Sequence, residues 1–141
     1  MKWAALISWI LTAGGGFTML GLWLRHGGPA QRDQPGRRIR PPQIFSHFGL
    51  AAAGLVVWII YVITDSDALA WVGFVALVPV ALLGFTMLAL WLQRRRAATT
   101  AAEGAQPAEQ RFPVPIVGAH GVLAVVTVLL VLLTALGVGE S

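Results

Sequence analysis

The sequence has no cysteine and few charges, and each deficit excludes whole classes of function. Without cysteine the chain has no thiol redox chemistry, no cysteine-ligated zinc and no iron–sulfur cluster. Only 11% of its residues are charged, whereas an average globular chain has about 25%. Hydrophobic residues make up 57% of the chain. This composition is typical of a membrane protein and not of a soluble domain.

Four long apolar runs, at 3–24, 44–63, 69–92 and 116–138, account for most of the sequence. A bilayer core of about 30 Å needs about 20 helical residues, and each run is that long. The pattern predicts an all-α integral membrane four-helix bundle that forms a single domain over 1–141. The first run could instead be a cleaved signal peptide, but its match to the third run favours a helix. Pro79 lies inside the third run and predicts a kink or a free carbonyl there.

The charged residues lie outside the apolar runs, and their distribution predicts the orientation. Five arginines fall between the first and second runs and four between the third and fourth, whereas the connection at 64–68 carries only Asp65 and Asp67. The positive-inside rule puts both arginine-rich loops in the cytoplasm and both termini outside, with Lys2 as the one exception. We expect a multi-pass protein of the bacterial cytoplasmic membrane. This topology explains the basic balance better than nucleic-acid binding does.

The sequence also repeats itself. The segment 16–24 recurs as 84–92 with eight of nine positions identical at an offset of 68 residues, and His47 recurs as His120 at an offset of 73. The chain is therefore predicted to consist of two hairpins of two helices each, repeat 1 at about 1–64 and repeat 2 at about 69–138. Both hairpins enter the membrane in the same sense, which makes this a parallel repeat with its pseudo-two-fold axis along the membrane normal.

His47 and His120 are the candidate functional residues because the repeat puts two ionisable side chains at one depth. Each lies five residues after a proline, about 7 Å into its helix. Ionisable residues inside a span are usually functional, and neutral imidazole is a good ligand for haem iron. Two imidazoles related by a two-fold axis can approach one iron from opposite faces. We therefore predict that both histidines are metal ligands of one haem b near the cytoplasmic face.

Residues near the pair supply further parts of the predicted haem site. Small residues one turn after each histidine leave room for a flat macrocycle, and arginines outside the helix starts offer cationic partners for propionates. These residues are Ala51, Ala124, Arg38, Arg40 and Arg111. Aromatic walls are expected from Phe45, Phe48, Trp23 and Trp91. Two turns after the histidines come Gly54 and Thr127, again small.

Other interpretations of these patterns stay open. A histidine near the interface can simply hydrogen-bond a neighbouring helix, and small residues often form helix-packing surfaces. The glycine run at 14–16 favours close contact between helices. Thr18 and Thr86 are expected to bond their own helix backbones. His26 has no counterpart in repeat 2 and is interpreted as a loop residue.

Through His47, His120 and the four spans, the chain resembles small bis-histidine membrane cytochromes b, in which helix histidines clamp haem inside a four-helix bundle. The resemblance implies a haem b cofactor and electron transfer. Cytochromes of this kind that carry electrons across the bilayer have two histidine pairs at two depths, whereas one pair here implies one haem. The stretch 112–139 also resembles a family of uncharacterised actinobacterial membrane proteins, which implies an actinobacterial source.

We expect a haem b electron-transfer protein or subunit, a carrier more than an enzyme, that lies in the lipid bilayer. It would exchange electrons with a quinone or a redox partner protein, and no nucleic-acid partner is expected. The alternative is a non-haem structural or assembly subunit of a membrane complex. A transporter is disfavoured because no run contains Asp, Glu, Lys or Arg. Both a homo-oligomer and a subunit of a larger complex are compatible with the sequence.

Overall fold

The computed structural model describes residues 1–31, 39–98 and 107–138 and has four long helices within these ranges. The helices are α1 (Lys2–Arg25), α2 (Pro41–Thr64), α3 (Asp67–Ala98) and α4 (Val114–Ala135). Two short 3-10 helices lie in the long loops, the first loop helix at Gly28–Ala30 and the second loop helix at Ala108–Arg111. The prediction of an all-α four-helix bundle is confirmed.

Prolines mark the starts of α2 and α4, so these helices begin earlier than their apolar runs. Proline in the first helical turn lacks only an N–H that has no intrahelical partner there, and its fixed φ suits the helix. As a result His47 and His120 are each the seventh residue of their helix, about 9 Å from its start. Pro79, by contrast, lies within α3 without ending it.

The connection between α2 and α3 is a tight turn at Asp65 and Ser66. Asp65 has a left-handed backbone (φ 53°), a conformation that aspartate tolerates better than most residues. Its carboxylate pairs with the Lys2 ammonium group at the start of α1. The indole nitrogen of Trp58 also donates to the Lys2 carbonyl (3.3 Å). The first residues of the chain are thus fixed beside the α2–α3 turn.

The most closely packed helix pairs are not the two hairpins of the sequence repeat. α2 packs mainly against α3, and α1 packs mainly against α4, whereas contact between α1 and α2 is sparse. The second helix of each repeat therefore leans on the first helix of the other repeat. We call this arrangement the crossed packing. Because of it, the histidine of α2 contacts the backbone of α3, and the histidine of α4 contacts the backbone of α1.

The main hydrophobic core lies in the half of the bundle nearer the α2–α3 turn. It is formed by Ala5, Trp9, Trp58, Tyr61, Val62, Ala70, Leu77, Val80 and Val131. The ring of Trp58 packs against those of Trp9 and Tyr61 at tilted angles of 37° and 50°, with centroids 6.3 and 4.7 Å away. At the opposite end Trp23 and Trp91 are buried near the long loops. The histidines lie between these two layers.

The outer faces of all four helices are apolar. Large side chains such as Ile63 (76% exposed), Val122 (66%) and Leu82 (64%) point away from the bundle. Each helix is long and apolar enough to span a membrane, and only 11–22% of its most apolar stretch is buried in the bundle. Soluble monomers rarely expose apolar surface on this scale, whereas lipid covers it naturally. The chain is a multi-pass membrane protein.

Candidate histidine site

The crossed packing of the helices brings His47 of α2 and His120 of α4 together. Their ring centroids are 6.3 Å apart and their planes meet at 64°. The repeat allowed two arrangements, in which the histidines either faced each other or pointed away from each other, and the structure has the first. Both side chains are half-buried. Two imidazoles from different repeats thus share one small region inside the bundle.

Each imidazole is anchored to a backbone carbonyl of the helix it leans on. Nδ1 of His47 lies 3.0 Å from the carbonyl oxygen of Val80 in α3, and Nδ1 of His120 lies 2.9 Å from that of Thr12 in α1. Thr12 and Val80 are equivalent in the repeat, 68 residues apart. A carbonyl oxygen only accepts, so Nδ1 carries the hydrogen in both rings. In the neutral ring Nε2 is then the nitrogen with the free lone pair, and this is the form that binds a metal.

Glycines give the imidazoles room to reach these carbonyls. A methyl group on Gly84 would lie 3.2 Å from Cε1 of His47, and one on Gly16 would lie 3.3 Å from Cε1 of His120. A methyl on Gly15 would lie 3.3 Å from Cβ of His120. The expected role of the glycine run in close helix contact is confirmed for Gly15 and Gly16, whereas Gly14 faces open space.

Below the histidines, towards the core, the two repeats differ. Two turns after His120, the Thr127 hydroxyl lies 2.8 Å from that of Ser8 and 3.2 Å from that of Thr12, and all three residues are buried. Two turns after His47 lies Gly54, and the indole of Trp9 packs against it. A methyl group on Gly54 would lie only 3.1 Å from this indole. The expectation that these two positions leave room for a macrocycle is therefore wrong, since side chains of α1 fill both.

The other predicted site residues fall into three groups. Ala51 and Ala124 lie half-buried one turn after their histidines, and Ala51 packs on the core. Arg40 caps the start of α2, where its N–H donates to Gln43 Oε1 (2.8 Å), and Arg111 ends the second loop helix; both arginines are exposed. Arg38 lies outside the described residues. The described arginines are therefore on the helix-start side of the histidines, as predicted.

Three of the four predicted aromatic residues take part in edge-to-face pairs between α1 and α2. Trp23 meets Phe45 at 5.9 Å between ring centroids, and Phe17 meets Phe48 at 5.3 Å. Trp91 instead packs beneath the second loop helix, where its Nε1 donates to the carbonyl of Glu109 (2.9 Å). Trp23, Phe45 and Phe48 therefore pack in aromatic pairs between α1 and α2, whereas Trp91 holds the second loop helix.

Nothing in the sequence indicated that Glu109, a charged residue outside the apolar runs, would be buried. This residue is 3% exposed, and its Oε2 has no hydrogen-bond partner within the described residues. Ala108 beside it donates its N–H to Gln31 Oε1 (2.9 Å), which ties the two long loops together. The isolated proline at 107 is the one sequence signal that marked this turn.

Three smaller expectations are also settled. Thr18 donates to Gly14 O (2.9 Å) and Thr86 to Leu82 O (2.7 Å), so both bond their own helix backbones as predicted. His26 follows the last residue of α1, and its Nδ1 lies 2.7 Å from the Leu22 carbonyl. It takes no part in the histidine pair.

Comparisons with protein-family models, with curated proteins and with solved structures return no significant match. The site therefore has to be interpreted from its own chemistry. It offers two imidazoles from equivalent positions of the sequence repeat, each with its Nδ1 bonded to a backbone carbonyl. Within the described residues, no cluster of three or more His, Asp or Glu side chains accompanies them.

Proposed function

We propose that the chain is a haem b-binding electron-transfer protein or subunit with His47 and His120 as the two axial ligands. The observation that carries the proposal is the approach of the two rings to 6.3 Å between centroids, with both Nδ1 atoms anchored. Metal-ligating histidines almost always donate their other N–H to a carbonyl or carboxylate, which fixes the tautomer and the ring orientation. Both histidines have this second contact already.

The spacing of the rings supports a shared iron. Two metal–nitrogen bonds of about 2 Å each place the ligating nitrogens about 4 Å apart. Two imidazoles whose centroids are 6.3 Å apart can meet that separation when their Nε2 atoms face each other. An apolar bundle with few polar groups also suits a cofactor whose macrocycle is flat and hydrophobic. The donor set therefore fits a low-spin, bis-histidine haem.

A bound haem b would supply one-electron redox chemistry, and the protein residues would set where and how it operates. His47 and His120 would hold the cofactor in the half of the membrane nearer the long loops. Arg40 and Arg111, exposed at the same end, offer cationic partners for propionates. By the positive-inside rule this end faces the cytoplasm, so the electron partner, a quinone or a redox protein, would be met there.

The test is a dithionite-reduced minus oxidised absorption spectrum of the full-length protein, purified in mild detergent from cells with ample haem. A sharp α band with a shifted Soret band supports the proposal. A flat spectrum from the folded protein rejects it. It would favour the alternative, a structural or assembly subunit in which the histidines only join α2 to α3 and α4 to α1.

A further inference from the structure

The sequence motif that marks the repeat begins with a glycine in each half, Gly16 and Gly84, and neither glycine lies in a turn. Each comes four residues after the carbonyl that holds a histidine, Thr12 in α1 and Val80 in α3. Residues four apart lie above one another on the same face of a helix. Each glycine therefore opens the face of the helix on which the carbonyl acceptor lies.

We propose that Gly16 and Gly84 are positioning residues that seat the imidazoles of His120 and His47 on the neighbouring helix. By letting Nδ1 reach the backbone carbonyl, they fix the Nδ1–H tautomer of each ring and leave Nε2 as the metal-facing nitrogen. The metal-ligand part of this inference rests on the proposed function. The tautomer does not, since it follows from a hydrogen bond that forms without any metal.

The distances from Gly16 and Gly84 to the imidazole rings explain why a larger residue at either position would disturb the histidine. A methyl at either position would come within 3.2–3.3 Å of the imidazole Cε1, closer than ordinary van der Waals contact, so the ring would have to move. The Nδ1-to-oxygen distances of 2.9 and 3.0 Å are at the centre of the normal range. Any displacement of the ring therefore lengthens or bends the bond.

Substituting a glycine in one repeat should affect the histidine of the other repeat. Gly84, in repeat 2, acts on His47 of repeat 1, whereas Gly16, in repeat 1, acts on His120 of repeat 2. His120 also rests on Gly15, whose counterpart in repeat 2 is Leu83. A merely structural role for the glycines would loosen the bundle as a whole and would not distinguish one histidine from the other.

The experiment is nitrogen-15 NMR of the histidine side chains in the full-length protein, in detergent micelles and without added haem. In the wild type we expect both intramembrane histidines to carry hydrogen on Nδ1 and not on Nε2. Gly84→Ala should shift the His47 Nδ1 signal and Gly84→Val should shift it further or remove it, with His120 unchanged. Gly16→Ala and Gly16→Val should do the reverse.

Gly14→Ala and Gly21→Ala are matched controls on α1, because a methyl at either position meets no atom of the described residues within 4 Å. They should leave both histidine signals in place. Signals that are unchanged in the folded Gly84 and Gly16 variants, or that move equally for both histidines, overturn the inference. If a valine variant does not fold, the alanine variant decides. Replacement of His26 by glutamine assigns the third histidine.

Haem measurements separate this inference from the proposed function. If the wild type binds haem, the electron paramagnetic resonance spectrum of the oxidised protein should change in Gly84→Ala and not in Gly21→Ala. If the wild type binds none while the crossed NMR pattern is found, the haem proposal fails and the positioning role stands. Haem binding without the crossed pattern overturns the positioning role alone.

Discussion

The imidazole rings of His47 and His120 lie 6.3 Å apart, although the two residues belong to different repeats and to helices that each lean on another partner. Both rings are fixed from behind by a backbone carbonyl, so they present their remaining nitrogen from a defined position. This arrangement makes the two side chains equal in role. Each should be required to the same degree for any cofactor held between them.

Replacing either histidine should therefore abolish haem binding. In His47→Ala and His120→Ala we expect the reduced-minus-oxidised α band to fall to background, because a bis-histidine iron cannot keep its low-spin form with one imidazole. His26→Ala is the control, since the His26 imidazole bonds to the Leu22 carbonyl of its own helix and takes no part in the histidine pair. Normal haem content in both intramembrane variants would exclude these residues as ligands.

The buried hydroxyl cluster of Ser8, Thr12 and Thr127 should contribute to the stability of the α1–α4 pair. Thr127→Val keeps the side-chain shape but removes the hydroxyl that contacts Ser8 and Thr12. Hydrogen bonds between membrane helices contribute about 0.6 kcal/mol on average, with a maximum of about 1.7 kcal/mol. We expect a loss in that range, measured by denaturant unfolding in mixed micelles.

Thr134→Val is the matched control for this prediction. Thr134 is buried on the same helix, but among the described residues its hydroxyl bonds only to the carbonyl of Leu130 in α4 itself. Its replacement should cost less than that of Thr127. Equal losses in the two variants would mean that the contact with α1 adds nothing.

Gly54 should not tolerate even one added methyl group. The new carbon would lie 3.1 Å from two ring atoms of Trp9, which is 3% exposed and packed against Trp58. Overpacking of this kind costs about 1–3 kcal/mol. We expect Gly54→Ala to lower the unfolding free energy of the detergent-solubilised protein by that amount.

Gly49, on the same helix, gives the opposite expectation. Within the part of the chain that the structure describes, a methyl there meets nothing within 4 Å. Gly49→Ala should therefore be neutral or stabilising by up to about 1 kcal/mol, because alanine is the better helix former. The two variants make the same chemical change in one helix. If Gly54→Ala were also neutral or stabilising, helix propensity would outweigh the contact with Trp9, and the prediction for Gly54 would be wrong.

Much of this architecture could be predicted because lipid imposes simple rules on sequence. Apolar length determined the number of helices, and the repeat placed His47 and His120 at one depth. The contact partners could not be predicted in this way. Neighbouring helices in a bundle are chosen by the fit of side chains such as Trp9 against Gly54, and apolar runs carry no periodic signal for that choice. The backbone carbonyls of Thr12 and Val80 were likewise invisible, since any residue type supplies a carbonyl.

The orientation of the chain provides a final prediction that links its charges to its folded ends. Lys2 is the one basic residue at the end opposite the arginine-rich loops, and it pairs with Asp65 at the α2–α3 turn. Because Asp65 offsets the charge of Lys2, Lys2 opposes the nine arginines only weakly in setting the orientation of the chain. We expect alkaline phosphatase fused after Ser141 to be active outside the cytoplasm, and the same enzyme fused after Ala98 to be inactive. Lys2→Gln should leave both results unchanged, because arginines on the loop side still decide the insertion. A phosphatase that is active only after Ala98 would reverse the orientation and put the histidine pair in the outer half of the membrane.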